Sequence, residues 1–436
     1  MVSASRLTPI REALERYLRR LDSILRPPEA EEVSVLESLG RVLAEDVVAP
    51  ADLPPFDRAV MDGYAVRAED TFGARPDRPV RLKLVGRCLA GQEERPAIGA
   101  GECAEVATGA MMPEGADAVV RAEHAKRLGD TVEIYTPVPP GSSVDKAGRD
   151  VRAGDVVLRR GRLLRVPDVA LLLALGIQAV RVFKRPRVGV LSVGDELVDP
   201  LGPEKPGRVR DVDRPMVMLA LRELGAEPVD LGIAPDDVSA IRETIAEGLE
   251  TCDALITTGG ISVGPADLVA GAIQGLEGAE VVVHRVAMRP GRPVALCLVR
   301  GRPVICLPGP PAACYLAFLM FARPVLLRLM GVEPGLVPVW PTARAVLARR
   351  VPSRVGITDL VRARLTLRPD GRLVAEPVAL RGAGMLSTLT GASGVVIVPE
   401  ELDVIEEGSE VEVLLFSCPG LAEREELSVV SHEEAG

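Results

Sequence analysis

Between residues 253 and 313, three apolar runs each lead into a loop rich in glycine or proline. Ala254-Leu255-Ile256-Thr257-Thr258 runs into Gly259-Gly260-Ile261-Ser262-Val263-Gly264, residues 281–288 into Arg289-Pro290-Gly291-Arg292-Pro293, and residues 303–307 into Pro308-Gly309-Pro310-Pro311. Short apolar runs bounded by turn residues read as buried strands. Open α/β sheets hold their ligands in loops at the carboxyl ends of such strands. Glycine lets backbone N–H groups converge on an anion, and arginines on the same loops add charge. The region is therefore expected to build an oxyanion or phosphate site from loops.

At 436 residues the chain exceeds one ordinary core, so about two to four domains are expected. It is 47% hydrophobic but only 3% aromatic, so its core must rely on Leu, Val, Ala and Ile. A net charge of −10 argues against broad, sequence-independent nucleic-acid binding, whose affinity comes from neutralised phosphates. The seven cysteines form no Cys-x-x-Cys pair, and several sit in apolar runs, as expected for a reducing cytoplasm. Residues 1–25 lack the apolar segment of a signal peptide. The longest uncharged apolar runs, around 169–177 and 312–322, fall short of a membrane span. A cytoplasmic protein is expected. Of its 52 basic residues, five are lysine and 47 arginine, so an arginine in any one motif carries less information than usual.

Thr8-Pro9 opens a helix, and Ile10, Leu14, Tyr17, Leu18, Leu21 and Leu25 follow at helical spacing. Residues 1–46 read as a helical region suited to a core or a subunit contact, and 47–150 as a β-rich domain. Residues 151–186 return to the helical region, with a helix over 167–175. Residues 187–331 alternate strand and helix: a strand over 187–193, a helix over 215–224 closed by Gly225, and a helix over 236–249 with Asp236 as N-cap. That order predicts a mainly parallel α/β sheet. Residues 338–418 read as a small carboxyl-terminal β domain, and 419–436 as a flexible acidic tail. The fold class is multidomain α/β.

Asp57 and Asp62 lie in a tight Pro/Gly context, and taken alone they read as a polar turn whose carboxylates bond their own backbone. Thr108 is placed either to donate to a phosphate or to cap its Thr-Gly turn. Asp195 and Glu196 follow the first strand of the α/β region. Two carboxylates there suit a hard cation such as Mg²⁺, which takes oxygen ligands and keeps waters; a solvated acidic loop is the alternative. Asp211, Asp236 and Asp267 fall on other loops of the same edge and favour a metal and phosphate site. Arg285, Arg289 and Arg292 alternate with Pro290, Gly291 and Pro293, which suits an anion clamp better than a solvated face. His124 and His284 read as ordinary polar positions. No zinc spacing, Ser-His-Asp arrangement or Walker A sequence is present.

In order, Pro55-Phe56-Asp57 with Met61-Asp62-Gly63-Tyr64-Ala65, Thr108-Gly109, Gly148-Arg149-Asp150, Gly194-Asp195-Glu196-Leu197, residues 258–264 with Asp267, Arg289-Pro290-Gly291-Arg292-Pro293 and Leu307-Pro308-Gly309 form one series. This series resembles the molybdopterin molybdenumtransferase family, MoeA in bacteria and the carboxyl-terminal domain of gephyrin in animals. The resemblance covers nearly the whole chain. It implies a discontinuous helical region, a β-rich domain, an adenylyltransferase-like α/β domain and a small β domain. It also implies an elongated homodimer, with each site shared between the α/β domain of one subunit and the β-rich domain of the other.

The activity so implied is insertion of molybdate at the dithiolene of adenylylated molybdopterin, with Mg²⁺-dependent hydrolysis and release of AMP. A separate molybdopterin adenylyltransferase is expected to supply the substrate. By the resemblance, Asp57, Asp150, Glu196 and Asp236 serve catalysis. Glu196, Asp236 and Asp267 hold metal, while Asp62, Thr108, Gly259, Gly260, Ser262, Asp267, Arg285, Arg289, Arg292 and Ser387 bind substrate. The chain departs from the family at Ala59-Val60, at Asp211-Val212-Asp213 in place of Asp-Ser-Asn, and at Pro310 and Ala313, where an amide and a hydroxyl are lost. The alternatives are a non-catalytic binding or scaffold protein on the same fold and a tungstate-preferring variant.

Overall fold

The computed structural model describes residues 7–261, 267–335, 340–380 and 382–416, and the backbone of Glu423–Arg424. Ser262 and all but that dipeptide of the acidic tail lie outside the described residues.

A six-stranded sheet organises the α/β region in the order Glu227–Ala234, Arg187–Val193, Ala254–Gly259, Arg302–Leu307, Ala295–Val299 and Ala279–His284. The first four strands are mutually parallel. Ala295–Val299 runs antiparallel to both neighbours, so the sheet is mixed. The reason is local. Arg300 and Gly301 both have positive φ, 50° and 79°, which fits a two-residue hairpin turn matched to strand twist.

The helix expected over 215–224 spans Asp213–Leu224 and ends at Gly225, whose φ of 99° stops it in the left-handed region. The next helix is Val238–Thr251, and its N-cap is Asp237 rather than Asp236. The Asp237 carboxylate accepts from the Ser239 and Ala240 N–H groups at 3.0 and 2.8 Å. That one-residue correction leaves Asp236 unencumbered by helix capping.

Ile10–Asp22 buries Ile10, Ala13, Leu14, Tyr17 and Leu21. It lies on the α/β sheet, where the Tyr17 hydroxyl donates to the Cys297 carbonyl at 2.8 Å and Arg20 pairs with Glu280. Ala30–Ser34 pairs with Ala179–Phe183, and Val47–Val48 with Val156–Leu158, so segments on either side of the β-rich region are stitched together. That region is a sheet in the order Ala118–Arg121, Gly63–Val66, Glu102–Val106, Val80–Cys88, Thr131–Ile134 and Ala125–Leu128.

Pro311–Leu329 is long and apolar enough to cross a membrane by composition, but 83% of its apolar window is buried inside the protein. It packs in one core with Tyr17 and Leu21 of the first helix and with Leu360 and Leu414 of the carboxyl-terminal strands. Those strands close on themselves: Thr358–Leu367 pairs with Leu373–Ala379 on one side and Gly394–Val398 on the other, and Thr342–Leu347 and Glu410–Leu415 complete the ring. Closure leaves few edges exposed. Met288–Arg289 of the α/β region adds beside Thr358 and Asp359, joining the two domains through backbone pairing.

Candidate active site

At the carboxyl edge of the parallel strands lies a cleft of about 710 Å³. Its charged lining residues are Glu196, Arg210, Asp211, Asp213 and Asp236, and Gly259, Gly260 and Gly309 form part of its wall. The glycines are sterically required. A Cβ at Gly260 would come within 2.6 Å of Val193 Cγ1, and one at Gly259 within 2.4 Å of the Val193 carbonyl oxygen. Gly259 and Gly260 also have φ of 77° and 62°, which side chains disfavour.

Beneath the wall runs a buried polar network. Ser192 Oγ bonds Thr258 Oγ1 and Asp211 Oδ1, each at 2.9 Å. Asp211 Oδ1 also accepts from the Arg214 N–H at 3.2 Å, and its Oδ2 from Arg214 Nε at 2.9 Å. Asp211 is 1% exposed and fully committed to these partners. It lies on a loop of the cleft, as expected, with its carboxylate engaged in bracing the helix that begins beside it. Asp213 is also buried, and its Oδ1 has no partner. Burial, with a smaller contribution from the Asp211 charge, pushes the Asp213 carboxyl up to about 8.

Glu196 and Asp236 line the cleft and are exposed. The Asp236 N–H donates to Asp195 Oδ1 at 3.2 Å and the Asp195 N–H to Asp236 Oδ2 at 3.4 Å, so the two loops are tied to each other. Asp267 stands apart from them. It caps helix Leu268–Gln274 through the Ala270 N–H at 3.1 Å, and its Oδ2 lies 2.8 Å from His284 Nε2. Glu196, Asp236 and Asp267 are thus not gathered into one ligand set, and the described residues contain no group of three His, Cys, Asp or Glu side chains placed to hold a metal ion.

The expected arginine clamp is redistributed as well. Arg285, Arg289 and Arg292 do not line the cleft. Arg289 forms a two-pronged pair with Asp359, its Nε 2.5 Å from Oδ1, and Ser353 donates to the same carboxylate at 2.6 Å. The partner carboxylate comes from a distant strand, which no local pattern revealed. Arg285 sits at φ 67° with its Nε buried and unpartnered, while Arg292 is exposed. Of the two loop departures, Pro310 lines the cleft. Ala313 is 1% exposed and bonded through its N–H to the Ala383 carbonyl at 3.0 Å. Ser387 is exposed at the start of the short helix Ser387–Thr390.

A second group assembles in the β-rich domain. Asp62 accepts from both the Thr108 N–H, at 2.7 Å, and Thr108 Oγ1, at 2.9 Å; these bonds hold its carboxyl below the ordinary range. Asp57 accepts from Lys146 Nζ at 2.6 Å and the Ala147 N–H at 2.9 Å. Asp150 lines a smaller cleft of about 340 Å³ with Leu53, Pro54, Arg58, Asp145 and Arg149. Lys146 and Arg58 were not singled out from sequence, and Arg149 entered only within the Gly148-Arg149-Asp150 segment. The one available signal was that Lys146 is among only five lysines in an arginine-rich chain. Within one chain, none of this group lines the larger cleft.

Three family models match in chain order: "MoeA N-terminal region (domain I and II)" over residues 8–176, "Probable molybdopterin binding domain" over 189–328, and "MoeA C-terminal region (domain IV)" over 344–416. In chain order these matches define the class, a multidomain enzyme of molybdenum cofactor biosynthesis. The chain is 34% identical to a molybdopterin molybdenumtransferase of Bacillus subtilis over 94% of each protein, and 30% identical to that of Haemophilus influenzae over 92% of this chain and 97% of that one. A crystal structure of a molybdopterin biosynthesis MoeA protein from Pyrococcus horikoshii superposes with a TM-score of 0.81 at 33% identity, covering 94% of this chain and 100% of that one. The chain belongs to the molybdopterin molybdenumtransferase family, enzymes of molybdenum cofactor biosynthesis.

Proposed function

We propose that the protein takes adenylylated molybdopterin, hydrolyses its phosphoanhydride in the presence of Mg²⁺, inserts molybdate at the dithiolene and releases AMP. The observation that carries this reading is the cleft at the sheet's carboxyl edge, where Glu196 and Asp236 face a wall of bare backbone at Gly259, Gly260 and Gly309. A wall without side chains lets a phosphate chain lie against main-chain donors. Glu196 and Asp236 suit Mg²⁺, which is commonly held by one or two carboxylates together with waters and substrate phosphates. When bound, the ion would polarise the phosphoryl oxygens. The chain's own part is to orient the phosphates against the glycine wall and to keep the two acidic loops in register.

The β-rich group, with Asp57, Asp62, Thr108 and Asp150, completes the site from the other subunit of a homodimer in this reading. Two-fold symmetry then makes each site twice, with each copy drawing one group from each subunit. The test is complementation. Asp57→Ala and Glu196→Ala homodimers should each lose AMP release, and mixed dimers should recover part of it through one intact site. Mixed dimers that form yet stay as inactive as the parents would return the site to a single chain. A scaffold on this fold would bind no adenylylated pterin at all.

A further inference from the structure

One carboxyl group at the foot of the cleft has no task in the reading above. Asp213 opens helix Asp213–Leu224, lines the cleft and is 7% exposed. Its Oδ1 is buried without a hydrogen-bond partner, an arrangement that a folded protein rarely leaves unused. Among the described residues, no cation hydrogen-bonds this oxygen. On its own loop Asp211 is saturated by Ser192 and Arg214, and Arg214 is shared between Asp211 and Asp230 of the adjoining strand. From helix Pro311–Ala317 it meets the field of Cys314, a fully buried thiol that burial holds protonated. Glu196 and Asp236 add like charge elsewhere in the cleft, and Arg210 is bonded to the Pro200 carbonyl. Burial and Asp211 hold the Asp213 acid neutral at pH 7.

We propose that Asp213 is a hydrogen-bond donor of this cleft, giving its carboxyl O–H to a phosphoryl oxygen of the bound nucleotide-linked substrate. This rests on the proposed function and adds a substrate-positioning residue to it. An ionised carboxylate offers only acceptors and would repel a phosphate; the neutral acid offers a donor beside an acceptor, much as an amide side chain does. It also removes one negative charge from a cleft that already holds several. Phosphate binding is thereby tied to the proton on Asp213.

Calorimetric titration of AMP into the full-length protein with Mg²⁺, from pH 7 to 9.5, tests this; a phosphate monoester, with a second pKa of about 6, is already about nine-tenths dianionic at pH 7 and gains little charge above it. Wild-type affinity should hold to near pH 8 and then fall by about tenfold per pH unit as the proton is lost. Asp213→Asn, which keeps a donor and cannot titrate, should bind like wild type at pH 7 and stay flat. Asp213→Leu, without a donor, should bind at least about tenfold more weakly at pH 7. Flat wild-type binding, or an Asp213→Asn profile that falls like wild type, overturns the donor assignment alone. No AMP binding at any pH overturns it together with the nucleotide reading. The wild-type profile needs no variant, so a misfolded mutant cannot obscure the answer.

Discussion

Lys146 Nζ lies 2.6 Å from Asp57 Oδ2, and the adjoining Ala147 N–H holds the other carboxylate oxygen at 2.9 Å. Burial pushes the Asp57 carboxyl up, but these bonds and the lysine charge outweigh it and leave the group below its ordinary value. A lowered carboxylate adds stability that is present above the unfolded-state pKa and lost as pH falls through the folded one. The pair is half exposed, so Lys146→Met should cost less than about 1 kcal/mol of stability. If Asp57 acts in turnover, the acid limb of kcat/KM against pH should move upward in that variant. An unmoved acid limb would show that Lys146 does not tune Asp57.

Gly194 sits where a Cβ would come within 2.6 Å of Glu196 Oε2. The clash falls on the far end of a flexible, exposed side chain rather than on backbone. Gly194→Ala should therefore displace the Glu196 carboxylate while leaving the sheet intact. Turnover is expected to fall by roughly a hundredfold, as when a positioning group moves by about 1 Å, with a stability cost of about 1–3 kcal/mol because Gly194 sits at φ 158°, where a side chain strains the backbone. Full activity in this variant would argue that the position of Glu196 is immaterial.

Arg289 is tied to Asp359, which is 3% exposed. Removing the arginine strands a buried carboxylate, which costs about 3–5 kcal/mol when both partners are fully buried. Arg289 keeps part of its side chain in solvent, so roughly 2 kcal/mol is expected for Arg289→Ala in urea denaturation, discounted for screening. A double-mutant cycle with Asp359→Asn should recover much of that loss. A neutral Arg289→Ala would mean that the contact does not hold the carboxyl-terminal domain to the α/β domain.

Asp213 predicts the opposite pH trend from Asp57. Its pKa rises from 3.8 to about 8 on folding. Its contribution is full below the lower value and lost progressively until pH passes the upper one. Relative to Asp213→Asn, the wild-type protein should therefore lose stability between these values, by on the order of a few kcal/mol. A constant difference between the two proteins across that window would show that the carboxyl is not held neutral. Denaturant titrations at several pH values suffice.

Several features were legible because they are local. Apolar runs emptying into Gly259-Gly260 and Pro308-Gly309 marked strand ends, since only small or turn-forming residues tolerate the backbone there. Gly225 marked a helix end for the same reason. The hairpin at Arg300-Gly301 was missed because arginine rarely takes positive φ, so one antiparallel strand entered a sheet expected to be mainly parallel. The choice between Asp236 and Asp237 as N-cap depended on backbone angles that neighbouring acidic residues leave undetermined.

Residue types and spacing by themselves determined the alternation of strand and helix around the parallel sheet, the glycines at its strand ends and the acidic character of its carboxyl edge. Only the tertiary structure decided how those charges are used. Asp211 became a brace because Arg214 and Ser192 reach it, and Arg289 an interdomain tie because a strand 70 residues away carries Asp359. Asp267 went to His284 rather than to the cleft. Asp213 was left buried and unpaired, and so neutral. A carboxylate's role depends on which cations, donors and how much water surround it, and long-range packing brings those partners together.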